Sequence, residues 1–174
     1  GTVQQILDEK SSIAAERRDL RNMLRAGTDF RGIDLGSKGT DYRQRKDLSG
    51  LYLRGRNFSD SDMRRAIISG SDLLDADFTK AWLDGADFSD ADMRGAKLSY
   101  ARMPGAVLQR AWLMGADLTG ADLTRADLTD AVLVGANLTD TDLEHADLSS
   151  VRWNSHELDA DFTVDGIDRK STRL

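Results

Sequence analysis

An all-β solenoid is the fold class that this sequence predicts, on three observations. From Lys46 to Ser155 the chain divides into 22 consecutive five-residue units without an insertion, the third residue of all 22 is apolar, and nine of the 22 fifth positions are Gly. A period of five is neither the 3.6 of a helix nor the 2.0 of a strand, so one regular element cannot keep the apolar residues on one side. The chain has to turn once per unit.

Ala116-Asp117-Leu118-Thr119-Gly120 is a typical unit. The third residue, the centre, is Leu in 14 units, Phe in 3 and Met in 3, with Ile68 and Trp153 completing the set; the first is Ala in 15, and the second is Asp in 11 and Asn in 2. Residues two apart in an extended segment point the same way, which sends the Ala and the centre inward and the Asp outward between them. The fourth and fifth residues form a corner, where Gly takes a positive φ without penalty. The one proline fits this: in Met103-Pro104-Gly105-Ala106 it stands second and Gly third, as a type II turn prefers. Such units stack as coils about 4.8 Å apart, joined by main-chain hydrogen bonds.

Units of the form A-[D/N]-[L/F]-x-x resemble the pentapeptide repeat family, over 110 of the 174 residues. The resemblance implies a right-handed quadrilateral β-helix with four units per coil, hence five and a half coils. At Lys46, Leu51 and Arg56 the small first residue is missing, as expected of a terminal coil.

Ahead of the array, residues 1–27 read as an N-terminal capping α-helix. Thr2 with Gln5 makes a capping box, Ile6, Ile13 and Leu20 recur at seven, Val3, Leu7 and Leu24 widen the stripe, and Gly27 stops it. Its expected job is a lid over the first coil, whose strand edges would otherwise recruit other chains. Residues 28–45 hold two more units, Thr28 to Gly32 and Ile33 to Ser37, out of phase with the rest, and a basic loop, 38–45, containing Tyr42. After Ser155 the pattern decays through Leu158, Phe162 and Ile167, so 156–174 reads as a thin cap and a frayed tail.

Composition narrows the function. The absence of Cys excludes a disulfide framework, a thiolate nucleophile and a Cys zinc site, and two His, at 145 and 156, leave few parts for imidazole chemistry. Glu144 and His145 adjoin, but consecutive corner residues are expected to diverge, and no nucleophile is set against them. No catalytic residue, cofactor or metal is therefore expected. No run approaches the roughly 18 apolar residues of a membrane span. The expected location is cytoplasmic. The alternative is the soluble domain of a longer membrane-anchored protein, because Gly1 stands where a start Met would be and the resemblance includes members with an anchor ahead of such a helix.

With four units per coil, centres 20 residues apart share a side. The side centred on 53, 73, 93, 113, 133 and 153 carries Tyr52, Leu74, Trp112, Met114, Val132 and Val134 outward, with Arg54, Arg94 and Arg152 between them. That aromatic, Met and Arg mixture is typical of interface centres, and we take Tyr52, Leu74, Arg94, Trp112, Met114, Val132 and Val134 as the candidate interaction face, for an unknown protein partner or for self-association as a dimer. The side centred on 58 is polar and is taken as the opposite one.

Charge is uneven. Residues 46–115 have ten acids and ten bases, whereas 116–150 have eight acids (Asp117, Asp122, Asp127, Asp130, Asp140, Asp142, Glu144, Asp147) against Arg125. An acidic rod as wide as a duplex is the physical basis for the DNA mimicry that the resemblance implies for some members, which bind type II topoisomerases such as gyrase. The first expectation is a non-enzymatic binding or scaffold protein acting through its solenoid surface, and the second is a DNA-mimicking modulator of a type II topoisomerase. Neither needs direct nucleic-acid or membrane contact by this chain.

Overall fold

Parallel main-chain bridges occur at every fifth residue from Asp47↔Ile67 to Val132↔Arg152, each joining residues 20 apart. The structure is a computed structural model that describes residues 29–35, 45–153 and the two short strands at 163–164 and 167–168. A spacing of 20 is four units, so each coil has four sides with one unit on each. The sides are ladders of single bridged residues, because a five-residue unit that turns has room for only one.

Main-chain bookkeeping explains the unit. Within Ala116 to Gly120, Ala116 N–H donates to Leu113 O (3.0 Å) across the corner, Asp117 N–H to Ala96 O of the preceding coil (2.9 Å), and Leu118 and Gly120 N–H to Asn137 O (2.8 Å) and Thr139 O (2.9 Å) of the following coil. Only the fourth N–H lacks a main-chain acceptor. Asp117 Oδ1 takes it, accepting from Thr119 N–H at 3.0 Å and from the Thr119 hydroxyl at 2.6 Å. All 13 units with Asp or Asn second close their fourth N–H in this way. This Asp or Asn leaves the chain on the outer side, between two buried residues, and most of these side chains are half-buried and bonded into their own turn, as a short Asx side chain favours.

The corners follow. Every fifth residue from Gly50 to Gly135 and on to Ser150 has φ between 56° and 69°, which includes nine Gly and twelve others such as Arg65, Tyr100 and His145. A third turn residue at positive φ beneath an i to i+3 bond, as in Ala121 N–H to Leu118 O (3.0 Å), is what a type II turn requires. Left-handed backbone costs an L-residue about 1–2 kcal/mol. The bonds to both neighbouring coils hold it there, which is why glycine is not needed at each corner.

All 22 centres are buried, with Trp153 the most exposed at 6%. Fourteen of the 15 first-position Ala are buried and Ala136 packs against the core. Where Ser or Thr replaces Ala the hydroxyl donates to a centre carbonyl: Ser61 to Phe58 O (2.6 Å), Ser71 to Leu48 O (2.7 Å) and Thr141 to Leu118 O (2.8 Å). Lys46, Leu51 and Arg56 are only half-buried.

The earlier units join the same stack. Asp34 bridges Asp62, 28 residues on rather than 20, and Phe30 stacks on Phe58, which stacks on Phe78, with centroids 5.1 Å apart in both pairs. The excess of eight equals the length of the segment 38–45, so the described residues 29–35 continue the stack of the array into its first coil. The reading of 1–27 as a helix and of Tyr42 as a contact lies outside the described residues. The reading of 156–174 as cap and tail gains two strands, β1 (Thr163–Val164) and β2 (Ile167–Asp168), paired antiparallel with Val164 opposite Ile167. The two residues between them are Asp165-Gly166, a strong hairpin dipeptide that the decaying periodicity hides.

Candidate interaction face

The candidate side is a ladder of two columns. One is the bridged series Tyr52, Asp72, Asp92, Trp112, Val132 and Arg152, and the other is Arg54, Leu74, Arg94, Met114 and Val134. The side centred on 58 is the next one round, a quarter-turn away, and not the opposite one: two units separate opposite sides, so the opposite side is centred on 63, 83, 103, 123 and 143. This corrects the sequence reading.

The seven residues singled out do not form one apolar stripe. Asp72 and Asp92 stand between Tyr52 and Trp112, and both are bound to arginines. Arg54 Nε donates to Asp72 Oδ2 at 2.8 Å with its guanidinium over the Tyr52 ring, 5.4 Å from the centroid. Arg94 donates to both oxygens of Asp92 (2.8 and 2.7 Å) and lies 5.4 Å from the Trp112 centroid. The Arg94 hydrogen bond holds the Asp92 carboxyl below the ordinary carboxylate range. Tyr52 and Leu74 are thus separated from the rest, and Arg94 is a shelf under Trp112.

What remains contiguous is Trp112, Met114, Val132 and Val134. Trp112 and Val132 bridge, Trp112 and Met114 are exposed (50% and 42%), and the two valines are half-exposed. Among the 22 units only 111–115 and 131–135 have apolar residues at both outward positions, and these two stack in adjacent coils on one side. Both are among the nine units without the second-position Asp or Asn that closes the fourth N–H in the other 13. The corner beside them is Gly95, Gly115 and Gly135, and a Cβ at Gly115 would meet nothing within 4 Å. The result is a flat apolar patch bordered by bare main chain.

Trp82 separates the structural part of this arrangement from the rest. Asp62-Met63-Arg64 with Trp82 repeats Asp92-Met93-Arg94 with Trp112 at an offset of 30 residues, one and a half coils, and so stands on the opposite side. Arg64 chelates Asp62 (2.9 and 2.6 Å) and lies 4.9 Å from the Trp82 centroid. Around Trp82, however, stand Asp84, Arg102 and Pro104. A guanidinium shelf under an indole is therefore a stacking device of this solenoid; the Met and two Val are what distinguish the Trp112 side.

The acidic segment is not one patch. Asp117, Asp122, Asp127, Asp142 and Asp147 each accept the N–H two residues on, and they occupy three of the four sides. Asp130 and Asp140 are corner residues at φ 59° and 56°, and Glu144 is at a fourth position. Asp117 is held below the ordinary carboxylate range by the Thr119 hydroxyl and N–H. The expectation that Glu144 and His145 diverge is corrected too: His145 Nε2 lies 3.4 Å from Glu144 Oε1, both well exposed. Among the described residues no group of His, Asp or Glu is arranged to hold a metal, and no helix is long and apolar enough to cross a membrane.

Residues 47–81, 71–110 and 111–149 match the family described as Pentapeptide repeats (8 copies). No curated protein matches the chain. Solved structures do. A pentapeptide repeat protein from the Arabidopsis thaliana thylakoid lumen is 37% identical with a TM-score of 0.58, over 64% of this chain and 72% of that one. A pentapeptide repeat protein from Nostoc PCC 7120 is 29% identical (TM-score 0.48; 71% and 98%), and QnrB1, a plasmid-mediated fluoroquinolone resistance protein, is 23% identical (TM-score 0.36; 74% and 73%).

Proposed function

The chain belongs to the pentapeptide repeat family and is a right-handed β-helix solenoid, and from that premise we propose that it is a non-enzymatic binding scaffold whose contact surface is the Trp112 side. One observation supports this most: among the 22 units, the only two with both outward positions apolar stack on each other in adjacent coils. Apolar residues gathered outward without a gain to the core point to function. Exposed Trp and Met beside a glycine corner suit a flat protein partner.

Tagged chain retains a protein partner from a lysate of its source cells, and Trp112→Asp loses it while Trp82→Asp does not. Retention unchanged in Trp112→Asp, with the circular dichroism spectrum unaltered, would sink the reading. The topoisomerase reading has less support, since five of the eight acids are bound into their own turns. We expect no inhibition of gyrase supercoiling at micromolar protein.

A further inference from the structure

We infer that the partner seated on the Trp112 side is a second copy of this chain, packed antiparallel about a two-fold axis that passes between the coils of Trp112 and Val132. The inference rests on the reading of that side as the contact surface, and deepens it by naming the occupant.

The argument is self-complementarity. A two-fold axis lying in the contact plane along the bridged segments keeps each column over itself and reverses the order of coils, as an isologous contact requires. Placed between Trp112 and Val132, it sets Trp112 against Val132 of the second copy, Met114 against Val134, and Asp92 against Arg152. The columns run Asp92, Trp112, Val132, Arg152 and Arg94, Met114, Val134, so the apolar pairs meet at the middle and opposite charges meet at both ends. That is the apolar centre and polar rim of a protein interface. Arg152 is exposed, and Asp92 Oδ2, which accepts only from Arg94 Nη2, has a further lone pair to offer, whereas Oδ1 already accepts from both Arg94 N–H and Nε.

Other registers are worse. Moving the axis by one coil sets Asp92 against Trp112 and Asp72 against Val132. A parallel pair, in which the columns exchange, keeps Trp112 on Met114 and Asp92 on Arg94, but it sets Asp72 against Leu74 and brings no acid opposite Arg152. The corner at Gly115 and Gly135 leaves one border of the side without side chains to clear, the other border carrying Asp90, Arg110 and Asp130.

Four coils span about 14 Å at 4.8 Å each, a small contact, so the dimer is expected to be weak, with Kd on the order of 10–100 μM. Sedimentation equilibrium of the full chain from about 5 to 500 μM should fit monomer and dimer. Arg152→Glu should raise Kd at least about tenfold and Trp112→Asp should leave monomer, whereas Trp82→Asp should match the wild type. The chain has no Cys, which allows a test of register that does not depend on the stability of a variant. Under mild oxidation an equimolar mixture of Met114→Cys and Val134→Cys chains should form the mixed disulfide in preference to either homodimer. A wild-type chain monomeric at 500 μM overturns the inference and leaves the contact surface open to another protein. Homodisulfides outrunning the mixed one, or an Arg152→Glu dimer of unchanged Kd, overturns the antiparallel register. Lysate capture lost in Trp112→Asp while the wild type stays monomeric keeps the proposed function without this inference.

Discussion

The Tyr100 ring lies over Gly120 of the next coil, so that a Cβ at Gly120 would come within 2.5 Å of Tyr100 Cε1 and 2.6 Å of Cδ1. Both are fifth residues of the same corner, one coil apart, and both have positive φ (58° and 65°). Gly120→Ala therefore meets two costs: left-handed backbone, about 1–2 kcal/mol, and displacement of an exposed ring. Gly105 has φ 66° and open space at its Cβ, so Gly105→Ala meets only the first. In urea unfolding, Gly120→Ala should lose more stability than Gly105→Ala, and Tyr100→Ala should remove the difference. Equal losses in the two single variants would exclude the ring contact.

The Asp117 turn can be tested by charge and by pH. Asp117→Ala opens the Thr119 N–H and should cost about 1 kcal/mol. Asp117→Asn should be nearly neutral at pH 7, because Asn57 and Asn137 make the same bonds to Ser59 and Thr139. Hydrogen bonds to Thr119 lower the folded pKa of Asp117, and those to Arg94 and Arg110 lower Asp92 and Asp90. A lowered folded pKa contributes stability that is complete above the unfolded value, about 3.9 for Asp, and is lost as pH falls through the folded value. Stability should thus be flat from pH 5 to 7 and fall below about pH 4, less steeply in Asp117→Asn. A profile identical to wild type in that variant would show that the carboxylate contributes nothing.

These two sites mark where the sequence could be read and where it could not. Leu118 and Gly120 were legible because a five-residue period needs one buried residue and one corner per turn. The turn bond of Asp117 was not legible, because alternation along an extended segment says only which way a side chain leaves the chain, and the bond to Thr119 lies two residues on. The contact of Arg94 with Trp112 spans 18 residues, less than one coil, and a period of five does not contain the number of units per coil. The same gap put the side centred on 58 opposite rather than beside the candidate face. The candidate apolar patch was found in sequence, but its break at Asp72 and Asp92 was not, since that depends on the arginine pairs.

In the middle of the stack, Leu118 is fully buried with a coil on each side. Leu118→Ala should cost about 2–5 kcal/mol, the loss of buried methyl groups together with the cavity they leave. The unfolding midpoint by circular dichroism checks it. A cost under about 1 kcal/mol would mean that the coils collapse onto one another to fill the gap.

The bridge of Asp34 to Asp62 yields the last prediction. Its separation of 28 exceeds the 20 of every other bridge by eight residues, and removing 38–45 would make it 20. Ser37 would then be followed directly by Lys46, and units 28–32 and 33–37 would run on in phase, giving 24 unbroken units ending at Ser155. Phe30 already stacks on Phe58 and Leu35 N–H already donates to Asp62 O at 2.7 Å, so these contacts carry over to the shortened chain, which loses the bond from Arg45 Nε to Arg65 O (2.6 Å). Loop closure changes slowly with length, and deletion of 38–45 should leave stability within about 1 kcal/mol of wild type with an unchanged circular dichroism spectrum. Loss of the cooperative transition in the deletion variant would mean that the eight residues make contacts the coil needs, and that the phase break is structural rather than an insertion between two consecutive sides.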